Sequence, residues 1–75
     1  MTSLTVYFFG EPGNMLDKIV HAIFKAHDGN CVGARTFVPT GERDVQFDVP
    51  DARLGSCIEI LKQAGFRFMP ASSGN

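Results

Sequence analysis

Between Asp44 and Val49 the chain alternates strictly: Asp44, Gln46 and Asp48 against Val45, Phe47 and Val49. A period of two is the signature of a β-strand with one wet face and one covered face. Carboxylates are costly to bury, so the wet face carries Asp44 and Asp48, and the valines and Phe47 meet an apolar layer. Gly41 lies before the run and Pro50 ends it, which bounds the strand. The chain must therefore build a sheet that is packed on one side only.

The neighbouring segments supply the rest of that sheet and its cover. Leu4 to Phe9 is rich in β-branched and aromatic residues and predicts a strand, stopped by Gly10-Glu11-Pro12-Gly13. Asn14 is placed to cap a helix, with Asp17 adding negative charge to its first turn. Met15, Leu16, Ile19, Val20, Ile23 and Phe24 follow at helical spacing and predict the buried stripe. Asp17, Lys18, His21 and Lys25 fall on the other, wet side. Asp28-Gly29 predicts the stop, with Gly29 as a left-handed cap. Cys31 to Val38 reads as a second strand, joined through Pro39-Thr40-Gly41-Glu42 to the strand Arg43–Val49, a predicted hairpin. Asp51 is the N-cap candidate of a second helix that carries Leu54, Cys57, Ile58, Leu61 and Ala64 on one side and is capped by Gly65. Phe66 to Met69 is a short fourth strand.

The order is β-α-β-β-α-β. Two right-handed crossovers sharing a hairpin give an α+β, ferredoxin-like architecture: a four-stranded antiparallel sheet, order 4-1-3-2, with both helices on one face. One domain over residues 1–69 is expected, with a frayed tail over 70–75. Alternation places Leu4, Val6, Phe8, Val32, Ala34, Val38, Phe66 and Phe68 inward. Tyr7, Phe9, Arg35, Phe37, Asp44, Gln46, Asp48, Arg67 and Met69 then occupy the helix-free face and form the candidate interface. Seven Phe and one Tyr in 75 residues are more aromatic bulk than one small core readily absorbs. Aromatics, Met and Arg on an open face are what interface cores favour.

Several chemistries are disfavoured. A net charge of −1 offers no electrostatic case for nucleic acid. Val6-Tyr7-Phe8-Phe9-Gly10 is faintly similar to the first-strand motif of RNA-recognition modules, but Asp44 and Asp48 would repel phosphates on the partner strand. Cys31 and Cys57 are isolated thiols rather than a disulfide scaffold or a metal pair, and His21 and His27 share no helix face, so no metal site is expected. Asp44 and Asp48 are roughly 13 Å apart along a strand, too far for paired-carboxylate catalysis. No catalytic residue and no cofactor is expected. No apolar run approaches the roughly 20 residues of a membrane span, and no secretory signal is visible, so a cytoplasmic location is expected.

The segment between the first strand and the first helix is the most specific local feature. Free amides at a helix N-terminus can receive a ligand carboxylate, although a plain tight turn accounts for the same residues. Pro12-Gly13-Asn14-Met15 resembles the first-loop motif of the ACT domain, a small regulatory module that senses amino acids. Gly29-Asn30-Cys31-Val32 is similar to that family's entry into its second strand. Leu61 to Phe66 looks like its final helix end. The acid stands at Glu11, one place later than in the family motif, and these 75 residues hold no effector domain of the kind usual beside such modules.

The resemblance implies a dimer with sheets side by side. It also implies a small amino-acid-like ligand near Glu11, Pro12, Gly13, Asn14 and Asn30, against a neighbouring subunit. The other expectation is a free-standing protein-interaction module or inhibitor, of the size of phage- or mobile-element-encoded anti-CRISPR proteins. It would dock through its open sheet face or an edge strand. A third, weaker expectation is a small isomerase-like or hydrolase-like enzyme in a dimer cleft.

Overall fold

In a computed structural model, residues 1–10 and 13–70 are described. Six elements follow in order: β1 (Thr2–Phe9), α1 (Met15–Ala26), β2 (Asn30–Phe37), β3 (Glu42–Val49), α2 (Asp51–Ala64) and β4 (Arg67–Pro70). All strand pairs are antiparallel and the sheet order is β2-β3-β1-β4, the expected order read from its other edge. This is the ferredoxin-like arrangement. Residues 71–75 of the expected tail lie outside the described residues.

Register carries the alternation of β3 across the sheet. Val6 pairs with Val45 and Leu4 with Phe47, and all four are buried beneath the helices. Phe68 joins the same row from β4, opposite Val6. Val20 and Phe24 of α1 and Cys57 and Leu61 of α2 close the core from above, with Ile23, Leu54, Ile58, Phe66 and Phe68 packed around them. At its centre Phe24 lies flat on Phe47, with ring centroids 3.9 Å apart and planes within 3°.

Local chemistry sets the element ends. Asn14 caps α1, its Oδ1 accepting from the Asp17 N–H at 2.9 Å. Gly10 makes this possible: its φ is +147°, and a side chain there would collide with Asn14 Nδ2. His27 is the C-cap of α1, and its Nδ1 lies 2.7 Å from the Ile23 carbonyl oxygen. Gly65 caps α2 in the left-handed region, as the sequence predicts.

Four expectations are corrected. Asp28, not Gly29, takes the left-handed turn after α1, with φ 60°. Gly29 is needed for a different reason, since an added Cβ would stand 3.0 Å from the Phe24 carbonyl oxygen. Pro50 rather than Asp51 is the N-cap of α2, and Asp51 begins the helix. A side chain is not required there, because the Arg53 N–H donates to the Pro50 carbonyl at 2.8 Å.

The third correction concerns β2. Cys31 and Gly33 oppose the consecutive residues Phe47 and Gln46, so Val32 is the extra residue of a bulge and is exposed rather than inward. Val38 lies beyond the strand and is 84% exposed. Ala34 keeps its predicted side, opposite Val45, yet is also exposed, because β2 overhangs the helix layer.

The fourth concerns α1. Its buried residues are Asp17, Val20 and Phe24, whereas Met15, Leu16 and Ile19 stay exposed. The helix is rolled so that Asp17 and His21, expected in water, turn toward the sheet. The cause is the buried Arg43, which faces Asp17.

Both thiols are free; Cys31 is exposed and Cys57 is wholly buried. Burial pushes the Cys57 thiol above its ordinary pKa, so it stays protonated and unreactive where Cys31 is available. A thiol reagent at pH 8 should modify Cys31 at least about a hundredfold faster than Cys57, which waits for opening of the core. Equal rates, read by mass spectrometry of quenched samples, would mean that α2 does not seal the core.

Candidate functional site: the open sheet face and the β2 edge

The helix-free face is built as rows of cross-strand neighbours. Phe9, Glu42 and Phe37 form the row at the hairpin end, and Arg67, Tyr7, Asp44 and Arg35 form the next. Met69, Thr5, Gln46 and Gly33 follow, and Ser3, Asp48 and Asn30 complete the far end. All nine predicted interface residues therefore share this face. Phe9 and Phe37, each 60% exposed, flank Glu42. Glu42 belongs to this face too: the Pro39-Thr40-Gly41-Glu42 motif predicts a turn residue, but extending the alternation of Asp44 back by two residues reaches it.

Both arginines of the face are paired within the chain. Asp44 Oδ2 accepts from Arg35 Nη2 at 2.9 Å and from Nε at 3.3 Å, which raises the Arg35 pKa further above its usual value. Glu42 Oε2 accepts from Arg67 Nη2 at 2.6 Å, and the Arg67 guanidinium sits 4.9 Å from the Tyr7 ring centroid. Ser3 donates its hydroxyl proton to the Asp48 carboxylate. Such pairs add little stability in water, but they leave neither arginine unneutralised. A shallow groove of about 430 Å³ runs along this part of the face, lined by Tyr7, Arg35, Thr36, Phe37, Glu42 and Asp44.

The two edges of the sheet differ. β4 is four residues long and reaches Pro70, which cannot donate to an added strand. β2 is eight residues long, contains no proline, and is exposed at every position but Thr36. Its sole charged side chain, Arg35, is folded onto Asp44. Edges are normally blunted by free charge, proline, strong bulging or a covering element. Among the described residues, only the bulge at Val32 does so on β2.

Of the predicted ligand residues, Glu11 and Pro12 lie outside the described residues. Gly13 and Asn14 lie at the start of α1, beside the hairpin end of the sheet. Asn30 pairs with Asp48 at the opposite end, so the two groups are separated by most of a strand length within one chain. The Gly13 N–H is already engaged, donating to Asp17 Oδ2 at 2.8 Å.

Beneath that turn lies a group that the sequence reading missed. Asp17 and Arg43 are 8% and 7% exposed, with Arg43 Nε 3.5 Å from Asp17 Oδ1. Neither of these two atoms completes a hydrogen bond among the described residues. Arg43 Nη1 donates to Thr36 Oγ1 at 3.0 Å. His21 Nδ1 lies 2.8 Å from the Asp17 carbonyl oxygen, and its ring meets Phe47 edge-on. The signal was parity: Arg43 shares the helix side with Val45 and Phe47, and a cation placed there requires a counter-charge. Asp17 supplies it, which rolls α1.

Among the described residues no cluster of three or more His, Cys, Asp or Glu is placed to hold a metal, and no helix is long and apolar enough to cross a membrane. Comparison with protein families, curated proteins and solved structures gave no match.

Proposed function

We propose that this chain is a non-enzymatic binding module that acts as a two-fold dimer, joined by antiparallel pairing of β2 with β2 of a second copy. One observation carries the reading: β2 is a long, exposed, proline-free edge whose single cation is neutralised in place. Strand addition supplies main-chain hydrogen bonds without needing a large apolar patch. A two-fold axis pairs the strand with itself, so one edge suffices for both partners. With Arg35 bound to Asp44, two copies meet without confronting bare like charges. The arrangement agrees with the side-by-side sheets implied by the ACT-like motifs. Pairing β2 antiparallel also brings Asn30 of one copy toward the hairpin end of the other.

A regulatory role follows from what such an assembly displays: a doubled sheet face bearing Phe9 and Phe37 at two places. A free carboxylate ligand at α1 would compete with Asp17 for the Gly13 amide, so assembly rather than anion binding is the better supported activity.

Sedimentation equilibrium over a wide concentration range tests this. The wild type should dimerise. A Val32→Lys/Ala34→Lys variant changes only exposed positions and should keep its circular dichroism and its thermal midpoint within a few degrees. Its dimerisation should weaken at least about a hundredfold from like-charge opposition. Unchanged assembly of the double-lysine variant sinks the β2 reading.

A further inference from the structure

A chain of polar contacts runs from the turn before α1 to the exposed edge of the sheet. The Gly13 N–H donates to Asp17 Oδ2 at 2.8 Å, and the Asp17 N–H donates to Asn14 Oδ1 at 2.9 Å. Asp17 Oδ1 faces Arg43 Nε at 3.5 Å. Arg43 Nη1 then donates to Thr36 Oγ1 at 3.0 Å, and Thr36 is a residue of β2. The outer contacts are ordinary hydrogen bonds. The middle one is not.

Asp17 Oδ1 and Arg43 Nε are both shut off from water, and neither is hydrogen-bonded. A charge-assisted N–H···O bond settles near 2.7–2.9 Å. The pair is held roughly half an ångström beyond that distance, while Asp17 is anchored at Gly13 and Arg43 at Thr36. A small displacement of either anchor makes or forfeits a strong bond in a low-dielectric setting, where its presence matters most. Such a link would have a bonded and an unbonded arrangement, and each anchor would bias which is occupied. His21 Nδ1 lies 2.8 Å from the Asp17 carbonyl oxygen and 3.6 Å from its Oδ1, and the His21 ring rests edge-on against Phe47, so the link is framed by the core.

We infer that the Asp17–Arg43 link couples the Gly13 turn to the β2 edge. What seats against β2 is felt at Gly13, and what fixes the Gly13 turn changes the affinity of the edge by the same factor, as linkage requires. The seat at β2 rests on the assembly reading above; the contacts through the core do not.

Amide hydrogen exchange on the full chain, at a concentration where it is monomeric, tests the link apart from assembly. Asn14→Ala removes the acceptor that holds Asp17 in the turn. In that variant the β2 amides near Thr36 that bond to β3 should exchange about tenfold faster, relative to Thr5 and Met69 on the other side of the sheet. Thr36→Val cuts the last contact at little change of shape, and in its background the same response should fall below twofold. If Asn14→Ala leaves too little folded protein, Asn14→Gly removes the same acceptor at smaller cost. Equal acceleration of both groups of amides, or a response that survives Thr36→Val, overturns the coupling. Under dimerising concentrations the Gly13 amide resonance should shift in the wild type and stay fixed in Thr36→Val. A wild type that is monomeric throughout defeats the assembly reading alone, since the exchange comparison is made on monomer.

Discussion

Phe47→Ala should cost about 3–5 kcal/mol of unfolding free energy, the largest effect expected of any apolar truncation in the chain. Phe47 occupies an inner strand, lies flat against Phe24 and takes the edge of His21. Its removal opens a cavity between sheet and α1 that no exposed neighbour can fill without moving the helix. Domains of this length carry on the order of 0.05–0.15 kcal/mol per residue, so the loss is a large share of the total. Urea titration followed by far-ultraviolet circular dichroism measures it, and the thermal midpoint should fall by roughly 15–30 °C. Phe47→Leu, which keeps most of the volume, should lose about a third as much. If alanine and leucine variants melt together, the Phe24–Phe47 stack is not where stability resides.

The second large effect concerns the buried charges. Arg43→Met leaves the Asp17 carboxylate without its counter-ion and should destabilise by about 3–5 kcal/mol. Asp17→Asn in the same background removes the stranded charge while keeping an acceptor for the Gly13 N–H. The double variant should therefore recover at least about 2 kcal/mol relative to Arg43→Met. The sign of this coupling is the test: additive losses would mean that the Asp17 carboxylate is solvated and that α1 is not rolled by Arg43.

Element order, sheet order and the two-sided character of the sheet were legible because they follow from periodicity and turn residues, which act locally. The nine open-face residues followed from the same parity. What was not legible has one physical origin in each case. Val32 and Val38 look like core residues, but an edge strand that overhangs its helices has no inside, and burial depends on what lies above. Asp17 looks like a surface residue on its own helix. Only the pairing of Arg43 with a helix-side row reveals that a carboxylate must come to meet it. Glu42 was hidden by its place in a turn motif, although the alternation continues through it. The bulge at Val32 leaves no clear mark in the sequence; it comes from fitting β2 to β3. In each instance, a property of two elements together could not be read from either alone.

The unequal edges of the sheet also set how far assembly can go. A unit able to add strands on both sides would have a valence of two, and each addition would present a fresh acceptor, the growth law of a fibril. Pro70 removes a donor from the short β4 edge. β2 is then the longer unobstructed edge, so joining β2 to β2, as proposed, would use the better strand-accepting edge of both copies. Under the proposed β2 pairing, growth would stop at a pair, and the number of subunits would be set by which edge can take a strand rather than by how tightly the strands adhere.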